Sequence, residues 1–196
     1  MADFAVDPVA IDVGHLVRRN VTSLYSSLVT RPTGQAVRLA IENVLAEETG
    51  PVSLSVIDFS QVTVMDFSCA DEVVAKLILR FSTRERPRDA YFLFRGIRDL
   101  HRDPVEAVLQ RQGLAAVAET DRGVFELLGR VDAASLGVWR TLETRGKVSA
   151  EEEKELFPGE GRGGILADLV LRRVVFRHPR TLEIHALSHL LRQVAS

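Results

Sequence analysis

Apolar residues recur at two spacings along the chain, and these spacings predict which segments are helices and which are strands. Between Thr33 and Glu48 they follow at intervals of three and four, the period of an amphipathic helix. These residues are Ala36, Val37, Ala40, Ile41, Val44 and Leu45. Helical patterns are also found at 70–81, 104–112 and 123–131. Apolar runs predict strands near Val9–Val13 and Thr22–Val29, and at 51–59, 90–94 and 114–119.

Strands and helices alternate four times in this pattern, which predicts an α/β fold with a mixed sheet flanked by helices. We place the end of this domain near Val131, so the predicted division is 1–131 and 132–196. The second segment has three helices, a strand, a turn and a returning strand. Its first helix is predicted to have an Asp132 cap and to stop at Gly146.

Two further features locate the remaining C-terminal helices. Ser149 is followed three residues later by Glu152, which is the sequence of a capping box and predicts a helix start. That helix is expected to end before Pro158. The glycine-rich stretch Gly159–Gly164 is predicted to be a flexible turn between helices, with the third helix at 165–174.

Composition narrows the class of protein. The chain has 196 residues, of which 46% are hydrophobic, so a sizeable core can form. A net charge of −2 argues against a generally basic nucleic-acid binder. The single cysteine, Cys69, excludes an intrachain disulfide and fits a reducing cytoplasm. No window approaches 18 uncharged apolar residues and the N-terminus has no basic start, so neither a membrane span nor a signal peptide is expected.

The segment Ser53–Leu79 contains a buried-type strand, a short loop and then Met65-Asp66-Phe67-Ser68 leading into a helix. This unit resembles the STAS family, which includes the anti-sigma-factor antagonists, where Met-Asp-Ser-Ser-Gly opens the helix. Met65 and Asp66 match that signature, and Ser68 stands at the position of the phosphate-accepting serine. The order of elements from about residue 11 to 131 is also similar. Phe67 and Cys69 depart from the signature by replacing its first serine and its glycine.

The resemblance implies a non-catalytic regulatory protein in bacterial-type signalling that binds a protein partner, such as an anti-sigma factor or a serine-kinase-like protein, and that can form a homodimer. Ser68 is the candidate phospho-acceptor, and Asp66, Phe67, Cys69 and Asp71 form the expected switch surface. A phosphate would add about −1.5 to −2 charge there, and repulsion from Asp66 and Asp71 could eject the partner. The residues themselves leave another interpretation open, because Ser68 and Asp71 have capping-box spacing and the hydroxyl can simply cap the helix.

The C-terminal order of elements is similar to that of winged-helix modules, which commonly place their third helix in the DNA major groove. Five arginines against two acidic residues give the segment 162–185 a net charge of +3. These candidate nucleic-acid-binding residues are Arg162, Arg172, Arg173, Arg177 and Arg180. The alternative function is therefore a DNA-binding transcription regulator with the STAS-like part as sensor or dimerisation unit. The acidic helix near Glu151–Glu155 would repel DNA, and pairing between it and the arginines is the simpler interpretation.

No dinucleotide, phosphate-loop, nucleophile-elbow or zinc-protease motif is present, so we predict neither an enzyme nor a cofactor. No histidine or asparagine close in sequence could act as a base for Cys69. His178, His185 and His189 lack a cysteine or carboxylate at metal-ligand spacing, so no metal site is predicted. A third hypothesis is an architectural adaptor without a switch.

Overall fold

The computed structural model describes residues 6–12, 27–47, 52–83, 85–121, 123–158 and 160–194. The predicted strand near Val9–Val13 corresponds to β1 (Val6–Asp12). Of the predicted strand Thr22–Val29, only the end falls among the described residues, where it forms β2 (Ser27–Leu28). The remainder of that strand prediction lies outside them.

A five-stranded sheet lies at the centre of the fold, in the order β1-β3-β5-β6-β7. Its further strands are β3 (Val52–Asp58), β5 (Asp89–Arg95), β6 (Ala115–Asp121) and β7 (Val124–Gly129). The first four strands are parallel and β7 is antiparallel to β6. The predicted α/β class with a mixed sheet flanked by helices is therefore confirmed. Both faces of β3 and β5 are buried, which explains their nearly unbroken apolar sequences.

Three helices cover one face of this sheet and connect its parallel strands. They are α1 (Arg31–Glu47), α2 and α3 (Asp99–Gln112). Helix α2 is continuous and consists of α-helical Phe67–Ala70, π-helical Asp71–Lys76 and α-helical Leu77–Ser82. The apolar stripes of the three helices share one core with the sheet, around the fully buried rings of Phe59, Phe81 and Phe94. The short strand β4 (Val64–Met65) pairs with β2 beside the start of α2.

The C-terminal segment covers the other face of the sheet. It consists of α4 (Ala133–Arg145), β8 (Lys147–Val148), α5 (Ala150–Leu156), α6 (Glu160–Leu171), β9 (Val175–Arg177), β10 (Ile184–Ala186) and α7 (Leu187–Val194). Its three strands form an antiparallel sheet in the order β8-β10-β9. Trp139, Leu166 and Phe176 are buried in one core with Leu54 and Leu93 of the central sheet. The two predicted segments are thus packed together through shared apolar surface.

Local capping chemistry explains several helix boundaries in this segment. Asp132 caps α4 by accepting a hydrogen bond from Ser135 N at 2.8 Å, and the helix stops at Gly146, as predicted. Ser149 and Glu152 form the predicted capping box, in which each side chain accepts a hydrogen bond from the other residue's backbone N–H. These boundaries depend on contacts within a few residues, so the local sequence was sufficient to predict them.

Three predictions of local structure are wrong. The segment 123–131 is not a helix but contains the strand β7, whose pairing with β6 outweighs a weakly helical pattern. The turn predicted at Gly159–Gly164 is wrong for residues 160–164, because α6 begins at Glu160 and includes three glycines. That helix also ends at Leu171, before the predicted 174. Arg173 adopts a left-handed conformation with φ of 60°, and Val174 N–H donates back to Leu169 O at 3.2 Å.

Candidate functional site

The candidate site lies where the parallel strands β3 and β5 end, at the carboxyl edge of the sheet. The chain leaves β3 at Asp58 and passes through β4 before it enters α2. Asp66 N–H donates to Leu28 O at 2.8 Å, which ties the start of α2 to β2. The carboxyl edge is where open α/β sheets usually place their binding residues.

Asp66 is the N-cap of α2. Its Oδ1 atom accepts hydrogen bonds from Cys69 N at 2.8 Å and from Ser68 Oγ at 2.9 Å. The predicted capping by Ser68 is therefore wrong. Ser68 is the second residue of the helix, and its hydroxyl donates a hydrogen bond to the capping residue Asp66. Burial opposes ionisation of Asp66, but the hydrogen bonds from Cys69 and Ser68 outweigh burial and hold its pKa below the usual value. The carboxylate beside Ser68 is thus charged at neutral pH.

An exposed apolar surface adjoins Ser68. Ser68 is half-buried, whereas 57% of Phe67 is exposed, next to it in the first turn. Val29 and Val64 are 48% and 47% exposed. Pairing of β2 with β4, together with the bond from Asp66 N to Leu28 O, brings the segments that carry all three residues to the start of α2. We call Val29, Val64 and Phe67 the apolar edge. Apolar side chains grouped on a surface are typical of a protein-contact site.

Cys69 does not belong to this surface, although the sequence placed it there. The side chain is fully buried, and its Sγ donates to Thr30 O at 2.9 Å. Burial, together with the nearby Asp66 carboxylate, raises the pKa of the thiol to about 12. The thiolate is the reactive form of cysteine, so this buried thiol is inert at neutral pH. Cys69 acts as a packing residue between α2 and the start of α1.

Asp71, also predicted to lie on the switch surface, is buried in a group of ion pairs. Its side chain is 5% exposed and that of its neighbour Glu72 is 3% exposed. Arg31 Nη1 lies 2.8 Å from Asp71 Oδ2 and 2.9 Å from Glu72 Oε1, and Arg111 Nη2 lies 2.7 Å from Asp71 Oδ1. Arg38 and Lys76 also pair with Glu72. We call this set the α2 ion cluster; its members are Arg31, Arg38, Asp71, Glu72, Lys76 and Arg111.

Sequence reasoning missed the α2 ion cluster as a structural unit. The detectable feature was the pair Asp71-Glu72 beside the apolar run Val73-Val74-Ala75, because buried carboxylates require partners. Burial opposes the charge on both carboxylates, but hydrogen bonds and Coulomb attraction from the basic residues hold both pKa values below their usual range. The partners come from α1 and α3, which are distant in sequence, so local spacing could not identify them.

Three of the candidate DNA-binding arginines form ion pairs within the molecule. Arg172 pairs with Asp168 at 2.6 Å. Arg173 donates to Asp89 Oδ1 at 2.6 Å and lies 5.0 Å from the ring centre of Tyr91, so it fastens the C-terminal segment to the central sheet. Arg177 pairs with Glu153 of the acidic helix at 3.1 Å, which confirms the simpler interpretation for this residue.

Of the other two candidate arginines, Arg180 alone has a described side chain, and it is exposed. The side chain of Arg162 lies outside the described part of the structure, and Arg180 lies in the turn between β9 and β10. The exposed positions of α6 for which side chains are described carry no basic group. These positions are Gly161, Gly163, Gly164, Ala167 and Leu171. Base recognition requires polar or charged side chains on the inserted helix, and these positions do not supply them.

The three C-terminal histidines lie near one another but are not arranged as metal ligands. His178 Nδ1 accepts hydrogen bonds from Thr181 N and Arg180 N at 3.0 and 3.3 Å, which closes the turn. His185 is buried, and its ring centre lies 5.9 Å from that of the partly buried His189. Within the described ranges, no group of three or more histidine, cysteine or carboxylate residues is arranged to hold a metal ion. None of the described helices is long and apolar enough to cross a membrane.

Comparisons with protein families, with curated proteins and with solved structures found no match to this chain.

Proposed function

We propose that this chain is a non-catalytic regulatory protein of STAS-like type that binds a protein partner through the carboxyl edge around Ser68. The observation that carries this proposal is the partly buried Ser68 in the first turn of α2, beside the exposed Phe67 and the charged Asp66. The apolar edge supplies contact area for a partner, and Ser68 supplies a position at which that contact can be changed.

Phosphorylation of Ser68 is the switch in this proposal. A serine kinase transfers the γ-phosphoryl group of ATP to Ser68 Oγ, the hydroxyl proton is lost and ADP leaves. The ester oxygen can no longer donate to Asp66 Oδ1, and the new phosphate carries about −1.5 to −2 charge close to that carboxylate. Repulsion then disturbs the N-cap that orients Phe67. A partner seated on the apolar edge is released.

The winged-helix-like C-terminal segment has a structural role in this proposal. The order α4-β8-α5-α6-β9-β10, with its three-stranded antiparallel sheet, supports the winged-helix resemblance. Its apolar surface is buried against the central sheet, and Arg173 and Arg177 form ion pairs within the molecule. The DNA-binding alternative therefore has less support than protein binding.

Mass spectrometry tests the switch directly. The protein is incubated with ATP and a serine kinase of the anti-sigma type from its own cells, with Ser68→Ala as the matched control. We expect one added phosphoryl group on a peptide that contains Ser68, and none on that peptide in the variant. An unmodified Ser68, under conditions in which the kinase modifies its known substrate, would refute phosphorylation as the switch.

A further inference from the structure

Ser68 precedes Asp71 and Glu72 in α2 by three and four residues. Residues three and four apart in a helix are neighbours on its surface, with Cβ atoms about 5–6 Å apart. Ser68 thus stands one turn above the two buried carboxylates. Arg31 reaches this side of α2 from the first turn of α1 and bridges both carboxylates, while Arg111 reaches Asp71 from α3. Both guanidinium groups are therefore held by carboxylates that lie one helical turn from Ser68.

The two arginines cover the carboxylates and face outward. The side chains of Arg31 and Arg111 are 49% and 62% exposed, against 5% and 3% for Asp71 and Glu72. Arg31 uses Nη1 for both of its bonds, and Arg111 uses Nη2. Among the described residues, the other N–H groups of these two guanidiniums have no recorded hydrogen-bond acceptor. They can donate to a further anion without breaking the existing pairs.

The charges around the start of α2 are balanced before any phosphate is added. The charged groups facing this side of α2 come from three packed helices. They are Asp66, Asp71, Glu72 and Lys76 of α2, Arg31, Arg38 and Glu42 of α1, and Arg111 of α3. Four cations face four carboxylates when Asp66, which accepts the Ser68 hydrogen bond, is counted, so the region is neutral and the position of the arginines, not an excess of charge, favours a phosphate there.

We infer that Arg31, with Arg111 beside it, forms an intramolecular binding site for a phosphate group on Ser68. The inference rests on the proposed phosphorylation of Ser68 and adds where the phosphate goes. The planar fork of an arginine binds two phosphate oxygens at once, which a point charge cannot do. Phosphate drawn toward Arg31 moves away from the Asp66 carboxylate and ties the first turn of α1 to the first turn of α2. The modified state is then a second ordered state of the carboxyl edge.

Phosphorus NMR of the full chain, carrying phosphoserine placed at position 68 during synthesis, tests this site without a kinase or a partner. The pKa of the phosphate is measured by titration in the otherwise wild-type chain, in Arg31→Gln and in Arg145→Gln. Arg145 is the matched control, because it is 47% exposed, is also paired with a glutamate and lies on α4, on the opposite face of the sheet. Circular dichroism establishes that each variant is folded.

We expect Arg31→Gln to raise the phosphate pKa by about 0.5–1 unit, because an opposite charge at close range favours the dianion. Arg145→Gln should leave it unchanged. Arg31→Lys keeps the positive charge but lacks the planar guanidinium, so its phosphate pKa should lie between those of the wild type and Arg31→Gln. This variant also provides the test if Arg31→Gln does not fold. Equal phosphate pKa values in the wild-type chain and the Arg31 variants would overturn the inference. If the kinase leaves Ser68 unmodified but NMR shows the expected pKa difference, phosphorylation of Ser68 is refuted as the switch. The phosphate-binding site at Arg31 then still stands.

Discussion

Asp66 holds the first turn of α2 with a single carboxylate oxygen that accepts two hydrogen bonds, from Cys69 N and Ser68 Oγ. Aspartate and serine are both good N-caps, so the local sequence allowed either residue to begin the helix. The hydrogen bond from Asp66 N–H to Leu28 O determines that Asp66 is the cap, because it holds Asp66 outside the helix. That bond comes from a different strand, which explains why residue spacing alone gave the wrong cap.

Substitution of the cap gives the first prediction. We expect Asp66→Ala to lower the free energy of unfolding by about 0.5–2 kcal/mol, because it leaves Cys69 N–H without its acceptor. Ser68→Ala is the matched change and should cost no more than about 0.5 kcal/mol, since it removes only one partly exposed hydroxyl. Urea unfolding measures both values. A larger loss for Ser68→Ala than for Asp66→Ala would show that the cap is misassigned.

Helices α1 and α2 approach each other closely at Gly34. A Cβ atom at Gly34 would lie 2.9 Å from Cys69 Cα and 3.1 Å from Glu72 Cβ. Glycine has no Cβ atom and therefore avoids both close contacts. The first distance is to backbone, so it cannot be relieved by rotating a side chain. This approach also lets Arg31, at the start of α1, and Arg38, two turns later, reach the carboxylates of α2.

The close approach predicts opposite effects for two glycine substitutions. We expect Gly34→Ala to destabilise the protein by about 1–3 kcal/mol through overpacking between α1 and α2. Gly137→Ala in α4 meets no atom within 4 Å and should stabilise by about 0.5–1 kcal/mol, the helix-propensity gain of alanine. Thermal and urea unfolding of both variants provide the comparison. Equal effects at the two positions would contradict the packing described.

The α2 ion cluster predicts how stability depends on pH. Asp71 and Glu72 have pKa values below their unfolded values, so their stabilisation is fully present above the unfolded pKa values of about 3.9 and 4.3. It is lost as pH falls through the lower, folded values. We expect the free energy of unfolding to drop as pH falls below about 4, and Asp71→Asn to reduce that slope. A variant with an unchanged slope would show that Asp71 does not contribute.

At the scale of the whole molecule, the sheet is buried between two layers. Residues such as Leu54, Tyr91 and Leu93 face the C-terminal segment and are shielded from water by it. Sequence spacing predicted most of the elements on both sides, because helix periodicity and capping are local. It did not predict that the two segments share a core, nor the pairing of β7, because both depend on contacts between distant residues.

The shared core predicts the behaviour of a shortened chain. We expect residues 1–131 alone to bind a hydrophobic dye and to associate in solution, because removal of 132–196 uncovers an apolar sheet face. Dye fluorescence and sedimentation are compared with those of the full chain. A monomeric 1–131 fragment with cooperative unfolding and no dye binding would instead support two independent domains.

Partner binding that depends on the state of Ser68 is the central claim, and one comparison tests it most directly. The full chain, Ser68→Ala, Ser68→Glu and Phe67→Ala are each used to retain proteins from native cells, and the retained proteins are quantified by mass spectrometry. We predict that one protein is bound by the wild type and Ser68→Ala and is released by both Ser68→Glu and Phe67→Ala. Equal retention by all four chains would contradict the account.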